Sequence, residues 1–593
     1  MTFEIHLLGP PRVIRDGTAM QAPRGHKVWG LLAYLLLREA PAPRAHTAGL
    51  LFPDAEDPMA ALRWALSMLR RLVGDPGAFQ GDPLDCSWAQ APVVDVLALR
   101  TAGPDQVEGF GDLGQELLAA MAFPGCPAFE LWLESQRRHA RGAVESLLHE
   151  AALATLARGE ADASAELAGR LVAGNPYDEN FQVLLVRALA VAGRGVEASR
   201  QAAACRQLFR AELGVDPGPA LDAAMTSMTS APTSGAVTGR PAVVALIEAG
   251  EAAIGAGALE AGLQCLRRAV ADASTLGSAL AARAFTALGS SLVHAARGSD
   301  EEGATALHRA LACDGVEPAT LAHALCELAY VEFLHGRYDR VEVWLAQADV
   351  VPAGPAQRSV ALTVRGSTFS DLGRYAAALQ ALEEALELAQ DDRRRSYVLS
   401  MIGRAQLLRG EHSLAAQALE ESMRRATSAG WATFIPWPES LRAELDLRDG
   451  DLAAAQTRLE HAFALGCQIG DPCWEGMSAR GLGVLRAARG DTDGAVSTLL
   501  DARRRAARLP DGYVWVQGYV LDALATLGVA CRLPETAVWV GDLAQLSQRS
   551  GMAELTVRAA VHRWRLGDVA AADAARALAG AVDNPALTAL LQG

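Results

Sequence analysis

The chain has 593 residues, 51% of them hydrophobic and only 5% aromatic, and its formal net charge is −15. This length allows three to five domains or one long repeat array, and the abundant Ala and Leu favour helices. A strongly acidic chain repels polyanions in general, so any nucleic-acid site must be a local patch of positive charge.

The first hundred residues predict the strand and helix order of a winged-helix domain, which we assign to residues 1–100. Strands are expected over 3–8 and 12–15, with Asp16-Gly17 as a tight turn because Gly accepts a positive φ. Three helices and two more short strands follow. The predicted helices cover 27–39, 44–52 and 58–73, and the later strands cover 84–88 and 93–96.

Helical periodicity dominates the next part of the chain, residues 101–226. A long helix is expected over 130–156, followed by two helical hairpins with turns at Gly159 and Gly193. A stretch rich in Ser, Thr and Gly, without periodicity, then predicts a linker over 227–240.

Residues 241–593 repeat with a period of about 40 residues. A glycine marks a helix–helix turn in each repeat, where its positive φ is needed. The turn glycines are Gly257, Gly298, Gly336, Gly373, Gly410, Gly450 and Gly490. Such a period is typical of a tetratricopeptide-type solenoid. The predicted fold class is therefore mainly α, with an N-terminal winged-helix (α+β) domain followed by an α-helical solenoid.

One face of the predicted helix 58–73 carries three arginines and no acidic residue. That face consists of Arg63, Trp64, Ser67, Arg70 and Arg71. An α-helix fits the major groove, where arginine recognises guanine edges and phosphate oxygens, so this face predicts contact with double-stranded DNA. The alternative is an ordinary solvated helix face.

More positive charge lies at the starts of the two preceding helices. Arg24 and Lys27 begin the first helix, and Arg44 and His46 begin the second. The free backbone N–H groups at such helix starts bind phosphate, so we add these four residues to the predicted DNA site.

Several segments resemble the Streptomyces antibiotic regulatory protein family. The opening Phe-Glu-Ile-His-Leu-Leu-Gly and the helix segment 62–71 are similar to that family's winged helix of OmpR type. Residues 209–221, Phe-Arg-Ala-Glu-Leu-Gly-Val-Asp-Pro-Gly-Pro-Ala-Leu, match the end of its bacterial transcriptional activation domain. The resemblance implies a transcription activator that binds promoter DNA, with RNA polymerase and a second copy of the chain as candidate partners.

Motifs for catalysis are missing from the sequence. A nucleotide-binding P-loop requires a lysine within G-x-x-x-x-G-K-[ST], and the only lysine, Lys27, lies in Arg-Gly-His-Lys-Val. The pair His149-Glu150 starts like the zinc motif H-E-x-x-H, but Leu153 stands where the second His should be. We therefore expect no enzyme activity, no ATP-driven switch, no metal and no cofactor.

The cysteines and the apolar segments indicate where in the cell the protein is located. The nine cysteines are scattered without a C-x-x-C pair, which argues for a reducing cytosol. The N-terminus lacks the pattern of a signal peptide, and the most apolar short run, 28–37, is too short to span a bilayer. We therefore expect a cytoplasmic protein without membrane association.

Aromatic residues recur in three successive repeats. Phe434, Trp474 and Trp515 each lie 16 residues before the turn position of their repeat, with the last turn placed at Cys531 by the same period. Trp431 and Trp437 lie beside them. Aromatic anchors are common in binding grooves, so the cluster predicts a groove for a partner protein, a peptide or a small molecule. The alternative is that these rings pack between helices as core.

Two functions of different classes remain open. The first is a DNA-binding transcription regulator whose helical repeats bind an effector. The second is a non-enzymatic interaction scaffold with a winged helix that no longer binds DNA. The second is motivated by the acidic balance and by Asp82 and Asp85, which lie in the expected wing segment 80–90.

Overall fold

The computed structural model describes residues 3–23, 25–38, 42–86, 88, 90–111, 113–226, 239–255, 258–509, 512–580 and 582–592. Helices make up 74% of the structure, and a small N-terminal sheet precedes a long array of paired helices, which confirms the predicted fold class.

Among the described residues, four strands occur, all in the first part of the chain. They are β1 (Phe3–His6), β2 (Arg12–Arg15), β3 (Thr18–Ala19) and β4 (Val93–Val94). The helices up to the linker are α1 (His26–Leu37), α2 (Arg44–Leu51), α3 (Pro58–Val73), α4 (Asp95–Thr101), α5 (Pro127–Ala157), α6 (Ala161–Gly174), α7 (Glu179–Val191), α8 (Gly195–Leu208) and α9 (Pro219–Thr226).

Helices then follow one another to the end of the chain. They are α10 (Arg240–Gly255), α11 (Leu259–Ala273), α12 (Ser278–Ala295), α13 (Asp300–Leu311), α14 (Pro318–Leu334), α15 (Tyr338–Asp349), α16 (Pro355–Asp371), α17 (Tyr375–Leu388), α18 (Asp392–Arg409), α19 (His412–Ser428), α20 (Pro436–Asp449), α21 (Leu452–Ile469), α22 (Pro472–Ala488), α23 (Thr492–Ala506), α24 (Val514–Cys531), α25 (Thr536–Ser550), α26 (Ala553–Arg565), α27 (Val569–Ala579) and α28 (Ala586–Gln592).

Contacts divide the chain into two compact units. The first consists of Met1–Val144, Pro534–Asp583 and Leu587–Gly593, and the second consists of Glu145–Leu533 and Asn584–Ala586. The small sheet and the three helices that follow it lie in the first unit. The second unit contains the rest of α5 and the helices α6 to α24, whereas α25, α26 and α27 belong to the first unit.

The sheet has the strand order β3-β2-β1-β4. β1 and β2 are antiparallel, with Phe3 opposite Arg15. Asp16 and Gly17 join β2 to β3 with φ values of 49° and 76°, so the predicted tight turn is confirmed. β1 pairs with β4 in parallel, with Glu4 opposite Val93.

The expected strand over 84–88 is wrong for the residues described there. Leu84 makes an isolated bridge with Ala42, and Gln80 makes another with Asp85. The chain after α3 is thus held by single bridges. The segments meet over too few residues to form the repeated hydrogen bonds of a strand pair.

The expected strand over 93–96 is shorter than predicted. Only Val93–Val94 pairs with β1, and α4 begins at the next residue. The reason is the buried carboxylate of Asp95, which accepts hydrogen bonds of 2.9 Å from the backbone N–H groups of Leu7 and Leu8. The Asp95 side chain therefore binds the backbone N–H groups that a longer strand β4 would otherwise pair with.

The predicted repeat turns are confirmed wherever the structure describes them. Each turn glycine adopts a left-handed φ, from 69° at Gly336 to 82° at Gly490. Gly257 lies outside the described residues. Each turn connects two helices that pack against each other, as in α18 with α19 and α22 with α23.

Among the described residues, one helix is long and apolar enough by composition to cross a membrane, namely α24. Within its 18 residues, 61% are buried inside the protein. Trp515, Tyr519 and Leu524 are among the buried side chains, so the helix has the apolar character of a core element in the repeat region.

Candidate nucleic-acid interface and repeat interior

The helix α3 has the two faces that its sequence predicts. Its buried residues are Leu62, Ala65, Leu66, Leu69, Leu72 and Val73. The Asp57 side chain caps the first turn by accepting from the Ala60 N–H at 2.8 Å, and Gly74 ends the helix in the left-handed conformation. Both ends are thus defined by local chemistry.

The opposite face of α3 presents Arg63, Trp64 and Arg71 to solvent. Trp64 is 55% exposed, which is unusual for so large an apolar side chain. An Arg63 guanidinium nitrogen lies 3.5 Å from a carboxylate oxygen of Asp57, and both side chains are 59% exposed. An exposed pair of this kind is weak, so Arg63 can exchange Asp57 for another anion.

Arg70 and Ser67 are more enclosed than their three neighbours. The Arg70 Nε donates to the Ala78 carbonyl and its Nη2 donates to the Phe79 carbonyl, both at 2.9 Å. This guanidinium therefore supports the chain that follows α3. Ser67 is half-buried on the same side.

The N-terminus of α2 already holds a carboxylate. The backbone N–H of Arg44 donates to Asp82 Oδ1 at 2.9 Å, and the Arg44 Nε donates to the Gly81 carbonyl at 2.6 Å. His46 is exposed on the first turn of the same helix. The sequence placed Asp82 in the expected wing segment 80–90 and gave no sign of its contact with the start of α2.

Of the two positive residues predicted at the start of α1, the structure describes Lys27. The Lys27 Nζ lies 5.6 Å from the centre of the Phe52 ring, a cation–π distance. Arg24 lies outside the described residues, so its place in the predicted DNA site stays a prediction.

The five aromatic residues predicted as a groove come together in the second unit. Trp431 stacks on Phe434 with ring centres 4.2 Å apart, and Phe434 meets Trp474 edge-on at 6.0 Å. Trp437 lies between Trp474, at 5.4 Å, and Trp515, at 6.3 Å. Phe434, Trp437 and Trp515 are buried, whereas Trp431 and Trp474 are half-buried.

A buried charge cluster adjoins these rings. The Asp371 carboxylate pairs with Arg404 at 2.7 Å and accepts hydrogen bonds of 2.7 Å from the hydroxyls of Tyr338 and Tyr513. Burial raises the pKa of Asp371, and Arg404 opposes that rise. The Arg404 guanidinium also lies 4.6 Å from the centre of the Trp515 ring, so the cluster and the aromatic residues form one interior.

These contacts cross several repeats. The Tyr513 ring lies 4.9 Å from that of Phe333, which is 180 residues earlier on α14. Arg297 pairs with Asp471 at 2.5 Å, again more than four repeats apart. Side chains from distant repeats therefore contact one another in the interior of this unit.

Sequence reasoning missed Tyr397 and Tyr513 in this interior. Tyr397, Trp437, Trp474 and Tyr513 follow one another at spacings of 40, 37 and 39 residues. That recurrence, close to the glycine period, was the available signal. Among the described residues, no group of three or more His, Cys, Asp or Glu is placed to hold a metal ion.

A second charge network joins α5 to the repeats within the same unit. Glu150 and Arg340 form a fully buried ion pair, with the Arg340 Nε donating to Glu150 Oε1 at 2.6 Å. His149 contacts Glu301 at 3.0 Å, and Arg337 lies 2.9 Å from the other ring nitrogen of His149.

Comparison with known proteins finds similarity to a regulatory protein and to one of its domain families. Residues 114–228 match the family described as the bacterial transcriptional activator domain. The chain is 31% identical to the regulatory protein AfsR of Streptomyces coelicolor over 423 residues, which are 66% of this chain. The chain spans 39% of the length of that relative.

Two solved structures share helical features at low similarity. The first is Mycobacterium tuberculosis EmbR in complex with a low-affinity phosphopeptide, 23% identical over 38% of this chain and 64% of that one, with a TM-score of 0.30. The second is a Rap protein complexed with competence and sporulation factor, 10% identical over 57% of this chain and 87% of that one, with a TM-score of 0.40. At these scores neither structure bears on what this chain binds.

Proposed function

We propose that the chain is a transcription regulator that binds promoter DNA, a proposal supported by its resemblance to the Streptomyces antibiotic regulatory protein family, by its match to the bacterial transcriptional activator domain and by its similarity to AfsR. In this proposal the predicted winged-helix domain, residues 1–100 and called the head below, contacts the duplex. The activator domain recruits RNA polymerase, and the repeats bind an effector. The protein acts in the cytoplasm, as one or two copies, and carries out no catalysis.

The exposed face of α3 is the observation that carries the proposal. Arg63, Trp64 and Arg71 project from a helix whose other face is buried in the head. Arginine donors match the guanine edge and the phosphate oxygens, and a helix of this length fits the major groove.

Binding of the full chain to promoter fragments at two salt concentrations tests the proposal. Each phosphate contact contributes about 0.9 to the slope of log affinity against log salt. We expect the double variant Arg63→Ala/Arg71→Ala to flatten that slope by about 2 if both residues contact phosphates. Arg200→Ala removes an exposed arginine from α8 and serves as the matched control. Absence of binding by the native chain to every promoter fragment of its genome contradicts the proposal.

Arg70→Ala is a comparison of a different kind. Because the Arg70 guanidinium holds the carbonyls of Ala78 and Phe79, its loss should lower the thermal stability of the head. We expect weaker DNA binding of this variant to follow from that lost stability. A normal melting temperature together with lost affinity would instead place Arg70 in the groove.

The scaffold remains a second candidate because of Asp82. Its carboxylate occupies the start of α2, where a phosphate would otherwise be accepted. A genome-wide map of chromatin binding separates the two functions, since discrete peaks near promoters reject the scaffold. In the regulator, Asp82→Asn removes a negative charge from the interface and is expected to raise DNA affinity.

A further inference from the structure

A cavity of about 460 Å³ lies between the start of α5 and the helix pair α26–α27, all within the first compact unit. Met121, Pro127 and Leu131 form the wall on the side of α5. Arg563 on α26 and Ala570 on α27 form the opposite wall, and the cavity is partly open to solvent. Pockets for small molecules range from about 300 to 1,000 Å³, so a molecule with two fused rings and a short chain has room here.

The apolar wall of this cavity is firmly supported from behind. Phe123 and Leu133 also belong to the wall, and 0% and 2% of their surfaces are exposed. In front of them Met121 and Leu131 are half-buried, and Pro127 is exposed. The cavity thus offers an accessible apolar surface on a packed base, which is where the rings of a ligand gain from leaving water.

The arginine side chains of the cavity already have acceptors within the protein. The Arg137 Nε and Nη2 donate to the carbonyls of Leu117 and Leu118 at 3.0 and 3.3 Å. The Arg563 Nη2 lies 2.7 Å from Asp568 Oδ2. An anionic ligand would have to share both guanidinium groups with these acceptors.

The carboxylates of the cavity are less fully engaged. Glu130 Oε1 accepts from the backbone N–H of Phe123 at 3.2 Å, and among the described residues its second oxygen has no partner. Glu134, one turn further along α5, pairs with Arg138 at 3.2 Å, but the two side chains are 47% and 33% exposed, so this pair is weak. Three carboxylates and two guanidinium groups line the cavity, and the surplus charge is therefore negative.

We infer that this cavity binds a small organic cation with an apolar body, whose rings pack against Met121 and Leu131 and whose ammonium group pairs with Glu130. An ammonium group only donates hydrogen bonds, and the second oxygen of Glu130 is an acceptor without a donor. The cavity is bordered both by α5, which lies within the activator-domain match at its start, and by a helix pair of the repeats. The inference rests on the proposed function, because it gives the effector of the repeats a chemical class.

Fluorescence titration of the full chain with dansylcadaverine, a fused-ring dye on a chain that ends in a primary ammonium, tests the inference. We expect the emission to rise as the rings leave water, with a Kd of about 10–100 µM. Glu130→Gln should weaken binding by about threefold to fivefold, because a partly exposed charge pair is lost. The glutamine keeps an oxygen for the Phe123 N–H. Glu166→Gln, at an exposed position on α6, is the matched control.

Two analogues with the same dansyl group separate charge from apolar packing. Replacing the ammonium by a hydroxyl should weaken binding by about threefold to fivefold, and replacing it by a carboxylate should weaken binding by about tenfold or more. Glu130→Gln should leave the affinity for the hydroxyl analogue unchanged. A purely structural effect of the substitution would instead weaken both probes alike and overturn the pairing with Glu130.

Ala570→Phe places a ring in the cavity from α27 and should abolish binding of all three probes at an unchanged melting temperature. Ala577→Phe, at an exposed position on the same helix and outside the cavity walls, is its control. The inference is overturned by the absence of saturable dansylcadaverine binding, by equal or tighter binding of the carboxylate, or by native affinity in Ala570→Phe. The titration contains no DNA, so its failure leaves the DNA-binding proposal standing.

Discussion

His308 is a histidine that the fold keeps neutral. It lies on α13 with 5% of its surface exposed, and its ring meets that of Trp344 edge-on at 5.5 Å. Burial, reinforced by the positive fields of His149, Arg158 and Arg340, lowers the pKa of His308 from 6.5 to about 3. A proton can therefore bind this ring readily only in the unfolded chain.

This low pKa predicts a loss of stability in acid. The unfolded state binds more protons than the folded state between pH 6.5 and 3, so the contribution of His308 is fully present above 6.5 and falls below it. Between about pH 8 and pH 5 the loss amounts to roughly 2 kcal/mol. Urea unfolding at both values should show that His308→Leu is less sensitive to acid by this amount. His46→Ala, at an exposed site, should leave the sensitivity as it is, and a variant His308→Leu that tracks the native chain contradicts the account.

Helix pairs in the repeats approach each other through a recurring glycine. A Cβ added at Gly366, Gly403 or Gly483 would lie 2.6 Å from the Cγ of a leucine sixteen residues later on the next helix. These leucines are Leu382, Leu419 and Leu499. A separation of 2.6 Å is too short for two non-bonded carbon atoms. The absence of a side chain on the glycine therefore allows the two helices to pack this closely.

The close approach predicts opposite effects for the same substitution at two sites. Gly403→Ala should lower the free energy of unfolding by about 1–3 kcal/mol, because overpacking outweighs the better helix propensity of alanine. Gly169→Ala, on α6 with no atom within 4 Å of the added methyl group, should be neutral or stabilising by up to about 1 kcal/mol. Chemical unfolding of both variants measures the contrast. Equal effects at the two sites would show that helix propensity, and not packing, decides.

At the scale of the molecule, the buried pair Glu150–Arg340 joins the activator region to the repeats. The two residues are 190 positions apart, with the linker between them in sequence, and both side chains are at most 2% exposed. Burial raises the pKa of Glu150, and the adjacent Arg340 guanidinium favours the ionised form. The pair therefore stabilises the fold only as long as both partners are present.

Removing one partner should accordingly cost more than removing both. Arg340→Met leaves a buried carboxylate without its cation and should lower the free energy of unfolding by about 3–5 kcal/mol. The double variant Glu150→Leu/Arg340→Met removes both charges and should recover most of that loss. Thermal unfolding of the two single variants and the double variant measures the coupling. Strictly additive losses would mean that the two side chains act independently.

Part of the candidate site could be read from the sequence because it depends on local chemistry. The buried stripe of α3 follows from a period of 3.6 residues, and its exposed face follows from the same period. The roles of Arg70 and Arg44 could not be read in this way. Each donates to backbone carbonyls of a loop that returns to it, and the path of that loop is set by the rest of the head.

The sequence by itself determined the helices, the glycine turns and the positive face of α3, since propensity, periodicity and left-handed φ values act over a few residues. Only the tertiary structure decided which side chains meet inside the repeats. Small rotations between successive helix pairs add up along the array, and their sum brings Tyr513 against Phe333 and Asp371. The aromatic residues were visible in the sequence, but which of them meet depends on the packing of helices that are distant in the chain.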